Sequence, residues 1–147
     1  MITVRLAETA EEIDTCLRLR WTVFVEEQGV RPSEELDAHD RSDAVHALAL
    51  LDGVPAGAAR LILLQPGGEP VVAKLQRMAV IDDVRKRGVG RALLRFLEDE
   101  ARRRGARSFT LWAQTQARAF YEKQGYAAQG GEFDDAGIPH VRMDKPA

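Results

Sequence analysis

Arg85-Lys86-Arg87-Gly88-Val89-Gly90-Arg91 lies between a strand-like run at 71–80 (VVAKLQRMAV) and a helical stripe of Val89, Ala92, Leu93, Phe96, Leu97 and Ala101. A helix N-terminus presents free backbone N–H groups and the positive end of its dipole, which makes an anion site. Gly88 and Gly90 carry no Cβ, so a phosphate could approach the main chain closely there. The competing reading is plainer: Gly88 ends a loop and the bases form a solvated face. Two familiar phosphate loops do not fit. A Walker loop needs Gly-Lys-Ser/Thr, whereas Gly90 is followed by Arg91-Ala92. A dinucleotide fingerprint needs Gly or Ala where Leu93 stands, directly after a first strand.

Outward toward the C-terminus, Gly105 ends the helix. Residues 108–112 read as a strand, 116–124 as a short helix stopped by Gly125, and 126–128 and 138–143 as closing strands. Toward the N-terminus, 56–64 and 44–51 form a hairpin across the Asp52-Gly53 turn, and Pro66-Gly67-Gly68 makes the next turn. Residues 2–6 alternate as a strand, and Thr9 with Glu12 is a capping-box start. Ile13, Cys16, Leu17, Trp21 and Phe24 recur at helical spacing, so a helix runs from about 10 into the mid-twenties. Residues 27–43, broken by Gly29 and Pro32, are a loop or a short second helix. Strands occur both in hairpins and flanking helices. The expected fold is α/β (α+β): one domain over 1–147, its mixed, mostly antiparallel sheet flanked by helices.

Composition limits the function classes. The 147 residues include 45% hydrophobic and 30% charged side chains, an ordinary globular balance. No apolar run is long enough to cross a bilayer, and the N-terminal stretch lacks a signal-peptide core, so no membrane association is expected. A single cysteine, Cys16, cannot form an internal disulfide, which suits a cytoplasmic location. With 21 Lys or Arg against 23 Asp or Glu, the net charge of −2 argues against general nucleic-acid binding. The charge is unevenly placed: residues 85–104 carry a local +5, leaving −7 elsewhere, with seven of the acids in 26–43.

The order Arg85-x-x-Gly88-x-Gly90, after a strand and opening a helix, resembles the acyl-CoA pyrophosphate loop of the GNAT superfamily of N-acetyltransferases. Downstream, the run from Gln114 through Ala117 and Tyr121 to Gly125-Tyr126 resembles that superfamily's second CoA-contacting segment. Residues 23–30 (VFVEEQGV) and 135–140 (DAGIPH) are similar to a narrower bacterial subgroup, the YjcF/ElaA-like acetyltransferases. These motifs span nearly the whole chain in order.

The resemblance implies acetyl-CoA (CoA) as acyl-donor cosubstrate, no metal, and a small-molecule primary amine as acceptor. It implies that the backbone of Met78, Ala79 and Val80 grips the pantetheine arm, with the Val80 N–H donating to the thioester carbonyl. Arg85, Lys86 and Arg87, with Gly88, Val89, Gly90 and Arg91, would hold the pyrophosphate. Gln114, where Asn is usual, and Ala117 would contact the cofactor. Tyr121 maps onto the general acid that protonates the departing thiolate; its other reading is a core aromatic. Many members place a Glu where this chain has Gln76, which cannot accept a proton at neutral pH. Glu27, His46 and His140 are therefore the candidate bases, beside a water chain. His46 also reads as a core histidine, and Glu27 as a surface acid.

His39, His46, His140 and Cys16 lack ligand-like spacing, and there is no Gly-x-Ser-x-Gly elbow. No cysteine stands in a nucleophile position, so the expected reaction is direct attack in a ternary complex. The acidic 26–43 stretch would then line the acceptor side and favour a cationic amine. The alternatives are an amino-sugar (phosphate) acetyltransferase and a non-catalytic CoA-binding sensor. Family members often dimerise, which leaves a homodimer open.

Overall fold

The computed structural model describes residues 1–64 and 68–147, so the expected turn at Pro66-Gly67-Gly68 falls largely outside the described residues. Among the described residues, seven strands form one sheet in the order β1-β2-β3-β4-β5-β7-β6. They are β1 Ile2–Ala7, β2 Val45–Leu51, β3 Val54–Leu64, β4 Val72–Val80, β5 Ser108–Gln114, β6 Ala127–Asp135 and β7 Ile138–Pro146. Among the described residues only β4 and β5 pair in parallel, and the other pairings are antiparallel. Helices α1 Ala10–Arg20 and α2 Pro32–Glu35 precede β2, while α3 Val89–Arg103 and α4 Arg118–Lys123 flank β5.

The helix termini follow local chemistry. Thr9 Oγ1 accepts from the Glu12 N–H at 3.1 Å, and Glu12 Oε1 accepts from the Thr9 N–H at 3.2 Å, completing the capping box. Helix α1 does not run on as an α-helix into the mid-twenties. At Trp21–Glu27 it widens into a π-helix, whose Val23, Phe24 and Glu27 line a cleft. Within 27–43 both expected forms occur: α2, then a 3₁₀ turn at Ala38–Arg41. Strand β6 is longer than the expected 126–128, because pairing with β7 carries its polar, Gly-containing second half.

Helix α3 buries Leu93, Leu94, Leu97 and Ala101 against Ala47, Ala49, Ala59 and Leu61 of the sheet. On the opposite face, Cys16 of α1 packs with Leu48 and Ala58. Each fully buried leucine contributes about 1.5–3 kcal/mol. Small residues on β2 and β3 let helices approach both faces closely. At Gly57 a Cβ would lie 2.9 Å from the Ala79 carbonyl oxygen and 3.1 Å from both Leu93 Cδ1 and Val89 Cγ1. Gly57→Ala is therefore expected to cost about 1–3 kcal/mol by overpacking. A lower urea midpoint at unchanged slope would show it; an unchanged midpoint would mean that α3 shifts freely.

The other end of α3 is held by a buried carboxylate. Glu98 Oε2 accepts from the Tyr126 hydroxyl at 2.7 Å, and Lys145 Nζ donates to the same carboxylate at 3.1 and 3.2 Å. Burial, then Glu98, raises the Tyr126 pKa, so the phenol stays a donor. Among the described residues, no helix is long and apolar enough to cross a membrane.

Candidate active site

Two irregularities in β4 open the sheet. Ala58 faces Ala79 and Arg60 faces Gln76, so Arg77 and Met78 together oppose Ala59 in a β-bulge. Arg77 takes up the bend at φ 56°. Parallel pairing with β5 ends at Leu75↔Leu111, after which β5 stays paired with β7 alone. Strands β4 and β5 therefore diverge, and a cleft of about 570 Å³ runs between them.

The free edge of β4 faces this cleft. The Ile81 N–H donates to the Ala56 carbonyl on the β3 side at 3.1 Å. Backbone groups alternate sides along a strand, so the N–H and C=O of Val80 point the other way. The Val80 carbonyl is already used, accepting from Arg85 Nε at 2.9 Å. Its N–H is left as a fixed donor in the cleft.

Across from this edge is the start of α3. Gly88 sits at the N-cap with φ 91° and gives no side-chain cap. The first helical bond runs from the Ala92 N–H to the Gly88 carbonyl at 3.0 Å, which leaves the preceding amides free of the helix ladder. Lys86, Arg87 and Arg91 are exposed there and enter no ion pair among the described residues. The +5 of this segment is thus concentrated at one end. Arg102, Arg103 and Arg104 pair with Asp99 and Glu100, at the other.

Arg85 is engaged by the protein itself. Its guanidinium grips the Glu27 carboxylate through two hydrogen bonds of 2.5 and 2.6 Å. That contact ties the π-helix to the loop before α3 and lowers the Glu27 pKa. A carboxylate so held is a poor proton acceptor, which weakens Glu27 as a base. Gln114 is likewise engaged, exchanging hydrogen bonds with Gln28 at 2.8 and 3.3 Å and accepting from Gln116. It bridges the diverging strand to the π-helix segment. Its longer arm reaches a protein partner across the cleft wall. Ala117 lies beside it on the cleft wall.

His46 lies outside the cleft. Its Nε2 donates to the Asp40 carbonyl at 2.8 Å and its Nδ1 is buried without a partner. Burial lowers its pKa, so it stays neutral beneath the 3₁₀ turn, a core histidine. His140 does line the cleft. Its Nδ1 lies 2.7 Å from the Ile138 carbonyl, which can only accept, so the proton sits on Nδ1. The lone pair of the neutral ring is then on Nε2, 3.9 Å from Asp135. Tyr121, on α4, reaches Met78 with its hydroxyl 3.8 Å from the sulfur. Burial pushes its pKa up to about 12 and keeps the phenol protonated.

The acidic 26–43 stretch is not an open negative surface. Arg20 donates to Glu35 at 2.7 Å and to Asp40 at 2.6 Å, both partners buried with it. Arg60 donates to Asp37 at 2.7 Å and Asp40 at 2.6 Å, and Arg77 faces Glu35 and Asp37. Three arginines thus pair with three of the seven acids, so those three carboxylates are not free to meet a cationic acceptor. The sequence held a signal for this that periodicity alone passed over. Arg20 stands four residues after Cys16 on the apolar helix stripe, and Arg60 interrupts the apolar run of β3.

The Acetyltransferase (GNAT) domain family matches residues 9–147. The chain belongs to the GNAT acetyltransferases. The N-acetyltransferase YjcF of Bacillus subtilis (strain 168) is 38% identical over 141 residues, covering 95% of this chain and 96% of YjcF. Among solved structures, Escherichia coli ElaA superposes with a TM-score of 0.82 at 26% identity, covering 99% of each chain. An aminoglycoside 6'-N-acetyltransferase complexed with coenzyme A superposes at 0.73, covering 99% of this chain and 96% of that one. At 20% identity that last likeness concerns the GNAT fold alone. The seven-stranded mixed sheet of this GNAT acyltransferase is the expected architecture, and its divergent β4–β5 pair supplies the cleft.

Proposed function

We propose that this acyltransferase moves the acetyl group of acetyl-CoA to a primary amine by direct attack within a ternary complex. The observation that carries the reading is the open β4 edge, whose Val80 N–H shares one cleft with the uncapped start of α3. An acyl-CoA needs both features, an anion site for its pyrophosphate and a fixed donor at its thioester. The chain's residues fit that donor. The amides from Val89 to Arg91, with Lys86 and Arg87, would hold the phosphates, and Met78, Ala79 and Val80 would line the pantetheine arm. That a similarly folded aminoglycoside 6'-N-acetyltransferase is complexed with coenzyme A supports coenzyme A as the ligand class.

In the reaction a carbon–nitrogen bond forms, the carbon–sulfur bond breaks, the nitrogen gives up a proton and the sulfur gains one. Val80 N–H donates to the carbonyl oxygen as charge builds on it. His140 Nε2 takes the amine proton, directly or through one water. Tyr121 donates to the sulfur as its charge develops. Cys16 takes no part: it is fully buried, burial pushes its thiol up to about 12, and a covalent acyl route through it has no access.

The test is release of free thiol from acetyl-CoA across a panel of amines. Thiol release dependent on an amine supports the reading; coenzyme A binding without turnover on any acceptor would favour a sensor. The loop assignment has its own test in Gly90→Val. A Cβ at Gly90 meets only ordinary contacts, 3.5 Å to Met78 and 3.6 Å to Phe120, so Gly90→Ala fits the fold and serves beside valine as the milder variant. The added methyls would crowd the free amides. Acetyl-CoA affinity should fall about tenfold or more by calorimetry, and an unchanged affinity would contradict the assignment.

A further inference from the structure

The cleft has a second face, opposite α3, where Lys74 and Gln76 project from β4 near the point at which β5 departs. Nearly every charged group there has a partner. Glu27 is held by Arg85, Glu34 by Arg31 at 3.0 Å, and Glu35 by Arg20. Arg77 lies 3.5 Å from Asp37 and 3.8 Å from Glu35. Lys74 is the exception. Its ammonium sits 3.5 Å above the Trp112 ring, and no carboxylate among the described residues comes within ion-pair distance of it. Burial, then the Arg77 charge, lower its pKa, while Asp135 acts from further off in the other direction. An ammonium half-withdrawn from water beside another cation is set to receive an anion.

Gln76 adds a second donor on the same face. Its Oε1 accepts from Arg60 Nε at 3.2 Å and Nη2 at 2.9 Å, which fixes the amide orientation. The Nε2 hydrogens are left without a protein partner among the described residues. A glutamate here would present acceptors to the cleft; the glutamine presents donors.

We propose that Lys74, supported by the Gln76 amide, recognises an anionic group, a carboxylate or a phosphate, carried by the acceptor amine at a distance from its nucleophilic nitrogen. This inference rests on the acyl-transfer reading and deepens it, replacing the expected cationic acceptor with an anionic one.

The experiment compares matched acceptor pairs: amino acids against their carboxamides, and amino-sugar phosphates against the free amino sugars. They are assayed with the wild-type chain, Lys74→Met and Lys74→Arg. Methionine keeps the chain length over Trp112 and removes the charge. The wild type should favour the anionic member of at least one pair, and the favoured pair identifies carboxylate or phosphate. In Lys74→Met the anionic-to-neutral ratio of kcat/KM should fall about ten- to a hundredfold, mainly through KM. Lys74→Arg should restore most of it. A wild type that favours neutral or cationic members, or a ratio that Lys74→Met leaves unchanged, overturns the proposal. If no acceptor releases thiol, the acyl-transfer reading fails separately. Calorimetric binding of the same anionic amines then decides: binding lost in Lys74→Met supports the anion site, and equal or absent binding in both proteins removes it.

Discussion

Tyr121→Phe is expected to lower kcat about a hundredfold or more while leaving acetyl-CoA affinity within about twofold. The reason lies in what the substitution keeps. The Tyr121 ring packs edge-on against Phe120 at 5.0 Å and Tyr126 at 5.9 Å, and phenylalanine preserves both contacts. Only the hydroxyl is lost, and its protein partner is the weak acceptor Met78 Sδ, so little stability goes with it. Burial pushes the phenol's pKa up to about 12, so the oxygen carries its proton throughout the neutral range. It can therefore donate when a leaving sulfur becomes negative. An ordinary thiol has a pKa of about 8.5, so the phenol serves as a hydrogen-bond donor to the thiolate before any full transfer. Steady-state kinetics and coenzyme A calorimetry on the same variant separate the two effects. A wild-type rate would make Tyr121 a packing residue, with water protonating the sulfur.

Arg20→Met should destabilise the fold by about 3–5 kcal/mol, because it strands buried carboxylates. Arg20 is fully buried, and its fork reaches Glu35 through Nε and Asp40 through Nη1 and Nη2. A lysine cannot reproduce that fork, so Arg20→Lys should recover only part of the loss. The deficit should depend on pH. Burial alone would raise the Asp40 pKa; hydrogen bonds and charge from Arg20, helped by the Asp37 amide and Arg60, outweigh it and hold the carboxyl below its ordinary 3.8. A depressed folded pKa gives stability that is present above the unfolded value and lost as pH falls through the folded one. In the variant Asp40 keeps Arg60 and the Asp37 amide but loses Arg20, so its carboxyl is held down less and acid costs the variant less. The gap between wild type and Arg20→Met in urea unfolding should therefore narrow as pH falls from about 5 to below the ordinary 3.8. A gap that stays constant across that range would show that the loss is one of packing rather than charge.

These two residues differ in how far they could be read from the chain alone. Tyr121 belongs to a local run, Gln114 to Tyr126, whose order and spacing carry its resemblance without reference to any other segment. The importance of Arg20 depends on partners 15 and 20 residues away. His140 falls between the two. It is one of three candidate bases by sequence, and the Ile138 carbonyl, by accepting from Nδ1–H, leaves the lone pair on Nε2, 3.9 Å from Asp135. Glu27 and His46, equally plausible as residue types, are held by Arg85 and by burial under Asp40.

The sequence by itself determined what short-range periodicity and turn chemistry govern. It placed helix α3 with its glycine start, the hairpins, the mixed sheet and the family resemblance. Each depends on residues within one or two turns or on a strict alternation, which a linear reading preserves. Tertiary structure decided which charges are free. Glu27 meets Arg85 across 58 residues and Asp37 meets Arg60 across 23, so a count of charge along the chain could not show that these acids are neutralised. It also decided where the sheet opens, because the bulge at Arg77 and the end of pairing at Leu75 are properties of β4 against its two neighbours. Charge neutralisation and strand divergence are both set by contacts that exist only once distant segments have packed, which is why Lys74 stands out as unpaired only in the folded chain.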